Sequence, residues 1–234
     1  MRKFLIGASC LLFLALAFPV LAKEQPGKPE TTPPDLEKIT FIHYAKSAKN
    51  SKPVWDDTVD KFKFIAGGIR WADTMTYEVN PYGSYLNENE VIATLSESLE
   101  TWDIETSFEL FATPELDDSV SFNENRDYTN TVTWGSLGSG IIAVNQFWYN
   151  PALKIIVESD VVFSTGFTWS LAGESGKMDL QNIATHEFGH NGLSDLYMPP
   201  STALTMYGYS GYGEIDKQTL GTGDWLGIQE LYNE

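Results

Sequence analysis

The chain has 234 residues, with 32 acidic against 15 basic side chains and a formal net charge of −17. An excess of that size repels phosphate backbones and argues against a nucleic-acid partner. One cysteine excludes an internal disulfide, and 13% aromatic residues speak for a packed core rather than disorder.

Residues 1–22 are predicted to be a secretory signal. Arg2 and Lys3 supply the basic start, Phe4 to Phe18 is apolar, and Val20-Leu21-Ala22 offers cleavage after Ala22. An uncleaved membrane anchor is the alternative, although the apolar run is short for a span. Cys10 lies in this segment, so the mature chain would carry no thiol, and cleavage would make the net charge two units more negative. Pro26, Pro29, Pro33 and Pro34 mark residues 23–36 as a linker or short propeptide that buries little. Residues 37–234 suit one domain with a sizeable core. His43 stands alone in sequence and is read as an ordinary surface or core histidine.

Strands are predicted at Thr76 to Val79, Phe108 to Phe111, Ile141 to Val144 and Ile155 to Phe163. A helix is predicted from Asn87 onward, where Asn87-Glu88-Asn89-Glu90 opens in a capping-box-like manner and Val91, Leu95, Leu99 and Trp102 fall on one face. Asp179 is a candidate N-cap for a second helix with Leu180, Ile183, Ala184 and Phe188 as its apolar stripe. The order of elements fits an α+β fold: a mixed twisted sheet with a backing helix, an active-site helix and a C-terminal helix.

Two of the three histidines sit four residues apart in His186-Glu187-Phe188-Gly189-His190. On a helix such residues are offset by about 40° and about 6 Å, so both imidazoles leave one face and can share a metal ion. Neutral imidazole is a good zinc ligand. Glu187 stands where a general base can reach a metal-bound water. Gly192 is predicted to end the helix in a left-handed turn that sends the chain back toward the metal. A catalytic zinc takes three protein ligands and leaves one position open. No histidine follows His190, and the first carboxylate beyond Gly192 is Asp195, the proposed third ligand.

The motif, followed by Leu204-Thr205-Met206-Tyr207-Gly208 and then Asp224-Trp225-Leu226-Gly227-Ile228-Gln229-Glu230-Leu231-Tyr232, resembles the metzincin metallopeptidases, and most of all the matrixin-like group of prokaryotes. The likeness is strongest over residues 140–234 and extends back toward residue 40. It implies a Met-turn with Met206 beneath the metal. It also implies an edge strand at Ile142, Ala143 and Val144 that pairs with substrate, and a pocket wall over 207–222 in which Tyr207 and Tyr209 contact substrate or pack the turn. Three departures stand out. Asp195 comes five residues after His190 rather than six. Val144 and Val162 occupy places of histidines for a second, structural zinc, and Ser164-Thr165-Gly166 replaces an acidic calcium-binding run. No cysteine is left for a cysteine switch.

The resemblance implies one catalytic zinc, with calcium left unassigned, and a secreted or surface-tethered endopeptidase acting on protein or peptide as a monomer. Other readings stay open. Gly221-Thr222-Gly223-Asp224 partly resembles the aspzincin stretch in which a distant aspartate completes the zinc site, which makes Asp224 a rival ligand. A secreted zinc-binding or adhesion module on the same scaffold needs no Glu187. A metallohydrolase acting on a non-protein amide is a third option. A carboxylate from Asp35 or Glu30 could reach the zinc and inhibit it.

Overall fold

The computed structural model describes residues 35–46, 58–197 and 201–233. The signal, most of the Pro-rich segment and Glu30 lie outside the described residues.

One seven-stranded sheet carries the molecule. In chain order its strands are β1 (Glu37–Ala45), β2 (Glu78–Val79), β3 (Glu115–Leu116), β4 (Thr131–Gly135), β5 (Ile141–Asn150), β6 (Ile155–Ser164) and β9 (Tyr209–Ser210); β7 (Trp169–Ser170) and β8 (Met178–Asp179) pair separately. Across the sheet the order is β3-β2-β4-β6-β5-β1-β9. β5 runs antiparallel to both neighbours, while β2, β3, β4 and β6 are parallel and β9 is parallel to β1. The mixed sheet and its three α-helices match the α+β expectation.

Helix α1 (Glu88–Asp103) starts at Asn87, whose side chain accepts from the amides of Asn89 and Glu90. Val91, Leu95, Leu99 and Trp102 are buried, the face expected from their spacing. Trp102 reaches furthest: its indole Nε1 donates to the carbonyl of Thr185 across 2.8 Å and ties α1 to α2 (Leu180–Gly189). Helix α3 (Thr222–Tyr232) closes the domain.

The expected strand at Phe108 to Phe111 is not one. Phe111 makes a single bridge to Met75, and the amides of Leu110 and Phe111 donate to Asp103 Oδ1 at the end of α1. Leu110 is fully buried there. Phe108 and Glu109 are exposed, and the run is a connection whose Leu110 and Phe111 amides are met by the Asp103 side chain while the Met75 amide bonds to its Leu110 carbonyl. The expected strand at Ile141 to Val144 continues to Asn150 and is not an edge, because β1 covers its outer side along Glu37↔Tyr149 to Tyr44↔Ile141. β1 and β4 have no counterpart among the predicted strands.

Candidate metal centre

Helix α2 holds the site. Asp179 Oδ1 accepts from the amide of Asn182 at 2.9 Å, as its N-cap role requires. Below it, the helix packs so tightly that Leu180 and every residue from Asn182 to Gly189 is buried. Gly189 is needed for that approach. A Cβ there would lie 2.2 Å from Met206 Sδ and 2.6 Å from Trp102 Cζ2. Met206, itself buried, thus lies directly against the helix segment between the two histidines.

His186, His190 and Asp195 converge. Asp195 Oδ1 is 3.2 Å from His186 Nε2 and 3.6 Å from His190 Nε2. Each imidazole is oriented from behind by a carbonyl, which can only accept. His186 Nδ1 donates to Thr205 O at 2.7 Å and His190 Nδ1 to Leu193 O at 2.9 Å. The proton of each neutral ring is therefore on Nδ1, and Nε2 presents a lone pair toward the carboxylate. Burial keeps the rings neutral, pushing His186 down to about 4 and His190 below its ordinary value. Two buried atoms, His186 Nε2 and Asp195 Oδ1, have no hydrogen-bond partner. Lone pairs facing one another in a buried site are stable only around a cation, and two imidazoles with one carboxylate are a zinc-compatible donor set.

The shortened turn still delivers Asp195. It does so without a left-handed glycine, since Gly192 has no positive φ. What demands glycine is space: a Cβ at Gly192 would fall 2.4 Å from Leu231 Cδ2 on α3. Asn191 anchors the turn. Its Oδ1 accepts from Trp71 Nε1 at 2.7 Å, its Nδ2 donates to Phe188 O and Tyr77 OH, and its carbonyl accepts from Tyr232 OH. Tyr197 OH donates to Asp195 Oδ2 at 2.8 Å, which leaves Oδ1 for the cluster.

Asp224 has a different task. Its carboxylate accepts from the amides of Thr205, Met206 and Gly221 at 2.7, 3.1 and 2.9 Å. It caps α3 and clamps the Met206 turn, and it belongs to neither of the two metal-competent groups among the described residues.

Glu187 is fully buried beside the cluster, and Asn145 Nδ2 on β5 donates to its backbone carbonyl at 2.8 Å. Its carboxyl is pushed well above the ordinary range, by burial first and by Asp195 second. Its partner is unexpected. His43 Nδ1 lies 2.9 Å from Glu187 Oε1, and His43 Nε2 lies 3.0 Å from Ser210 Oγ. Burial lowers the His43 pKa and raises that of Glu187. His43 is thus no ordinary histidine, and the signal for it was in β1: Ile39, Phe41 and His43 alternate toward one face.

Of the residues expected to meet substrate, Ile142 and Ala143 are fully buried and Val144 is partly so, with Val144 paired to Ile42 on one side and Val162 on the other. The carbonyls of Tyr207 and Tyr209 accept from the buried ammonium of Lys217, a residue the sequence did not single out. Burial lowers that ammonium to about 8.

The Matrixin family model matches residues 70–233. The chain belongs to the matrixin family. Matrixins are metzincins and zinc-dependent endopeptidases, which fits the cluster around Asp195. The chain is 27% identical to human neutrophil collagenase over 73% of its own length and 35% of that protein's. It is 28% identical to human stromelysin-3 over 74% of its length and 33% of that protein's. It therefore spans about a third of the curated relatives it matches. The matrixin match begins at Arg70, well after β1. No helix among the described residues is long and apolar enough to cross a membrane.

Proposed function

We propose that this matrixin is a secreted zinc-dependent endopeptidase whose catalytic residue is Glu187. The observation that carries the reading is the convergence of His186 Nε2, His190 Nε2 and Asp195 Oδ1 next to the Glu187 carboxyl. These three residues would hold one zinc, which supplies Lewis acidity and a water acidified toward neutral pH. Glu187 takes the proton from the attacking water and delivers it to the leaving amine. An extended peptide would pair with β5 by backbone bonds as an added strand, on the side of β5 that β1 takes in this structure. Tyr207 and Tyr209 wall the groove on its far side, and Met206 supports the histidine helix from below.

Residues 1–22 direct export and are removed, residues 23–36 link or precede the catalytic domain, and the enzyme works outside the cell as a monomer. A non-catalytic zinc-binding module would keep the three ligands but would have no use for Glu187. The test is cleavage of a quenched peptide mixture by the zinc-loaded chain beside Glu187→Ala and Glu187→Gln. Chelator-sensitive cleavage that falls at least a hundredfold in both variants, with zinc retained, supports the proposal. Equal cleavage by all three chains refutes the role of Glu187.

A further inference from the structure

The groove in which a peptide would lie is filled by the chain itself. β1 runs antiparallel to β5 over most of that strand's length and parallel to β9 at Tyr44↔Tyr209 and Ala45↔Ser210. The backbone continues the bonding at its end, where Ala45 N donates to Gly140 O at 2.9 Å and Lys46 N to Ser210 O at 2.8 Å. Two side chains of β1 cover the metal ligands. The Phe41 ring stacks on His190 with centroids 3.9 Å apart and planes 9° from parallel. The His43 ring lies 4.0 Å from that of His186 and reaches Glu187 and Ser210 beyond it. Lys46 then pairs with Glu214 at 2.6 Å and fastens the end of the strand to the far wall.

We propose that Glu37–Ala45 is an intramolecular inhibitor that occupies the peptide groove like a substrate strand, with His43 tying up Glu187. The proposal rests on the reading of this groove as the peptide site. Three features separate an inhibitor from a permanent strand or a substrate. β1 lies outside the family-matched region, which begins at residue 70. Of the hydrophobic side chains of β1 only Ile39, Phe41 and Ala45 pack against the core, each partly exposed, and the one fully buried residue of the strand, His43, faces Glu187 and Ser210, so its departure uncovers the groove rather than the core. And His43 holds one of the two oxygens of Glu187, Oε1, so the residue that would act as base is engaged by the strand itself while the strand is seated. Tethering makes weak pairing sufficient, since a linked strand acts at an effective concentration on the order of millimolar.

The experiment uses the full chain with residues 49–53 exchanged for the recognition sequence of an unrelated protease. The chain is folded, loaded with zinc and then cut. Three readouts are followed before and after: hydrogen exchange of the β5 amides, binding of a fluorescent peptide hydroxamate, and peptide cleavage. Before the cut, β5 is expected to be protected and the hydroxamate excluded. After the cut and exposure to excess hydroxamate, the fragment should leave, β5 exchange and cleavage should each rise at least tenfold, and the hydroxamate should bind. A synthetic peptide of residues 35–46 should reverse all three, and the same peptide with Phe41→Ala and His43→Ala should need at least ten times the concentration. An uncut chain that binds the hydroxamate and cleaves as fast as the cut chain would overturn the proposal. So would a fragment that stays seated against excess hydroxamate, which would make β1 a fixed strand of the sheet. Exchange and hydroxamate binding report occupancy without turnover, so hydroxamate entry without cleavage would count against the peptidase reading and not against occlusion of the groove by β1.

Discussion

His186 hangs from Thr205: its Nδ1 donates to the Thr205 carbonyl across 2.7 Å, and the Thr205 amide is in turn held by Asp224 at 2.7 Å. The C-terminal helix therefore orients the imidazole of His186, a proposed metal ligand, through one turn of backbone. This separates the two aspartates by experiment. Asp224→Ala leaves three buried amides without an acceptor and is expected to lower stability by about 3 kcal/mol or more in urea unfolding. Asp195→Ala removes a proposed ligand and is expected to cost at least a hundredfold in zinc affinity with a much smaller loss of stability. Zinc kept by the Asp195 variant and lost by a still-stable Asp224 variant would reverse the assignment.

Tyr197→Phe probes the support of Asp195. The phenol donates to Asp195 Oδ2 at 2.8 Å and so turns Oδ1 toward the histidines. Outer-shell partners of this kind typically govern about 10–100-fold in metal affinity. Competition with a zinc-binding dye should show a loss in that range with the melting temperature nearly unchanged. Unaltered affinity would show that the turn alone orients the carboxylate.

Gly189→Ala tests the contact between the helix and Met206. The added methyl would meet Met206 Sδ at 2.2 Å and the Trp102 ring at 2.6 Å, so the side chains or the helix must shift. Overpacking at such a site costs about 1–3 kcal/mol. The expected outcome is a melting temperature lowered by that equivalent, together with weaker zinc binding because the shift falls between the two histidines. The double variant with Met206→Ala should recover part of the stability.

The candidate metal site was legible in the sequence because its parts are local. An N-cap, two histidines on one helix face, a compact turn and a carboxylate all fall between Asp179 and Asp195, and short-range chemistry dictates each of them. What was hidden depends on partners far along the chain. His43 meets Glu187 across 144 residues only because β1 pairs with β5. Phe108 to Phe111 has the composition of a strand, but the carboxylate of Asp103 takes its amides. Gly192 was assigned a conformational role where the constraint is the side chain of Leu231. Asp224 is a plausible ligand by motif, and only the fold spends its oxygens on three amides.

Asp160 makes stability depend on pH. Burial raises its carboxyl to about 7, against the hydrogen bonds from Thr131 and with help from the Glu158 charge. The folded state then binds the proton more tightly than the unfolded chain, whose value is about 4. The contribution is complete below the unfolded pKa and is lost as pH rises through the folded one, so stability should fall between about pH 4 and 7. Asp160→Asn keeps an oxygen to accept from the Thr131 amide and hydroxyl and cannot ionise. Urea unfolding is expected to show the variant gaining on the order of 4 kcal/mol over the natural chain between pH 4 and pH 8. A constant difference across that range would assign the charge elsewhere.

The activity proposed for this chain depends on one ion held by His186, His190 and Asp195. Anomalous diffraction at the zinc edge, from crystals of the zinc-loaded full chain, tests that directly. One strong peak is expected about 2.0–2.2 Å from both Nε2 atoms and from an oxygen of Asp195. A peak ligated by Asp224, or no zinc peak between the two histidines of a folded chain, would contradict it.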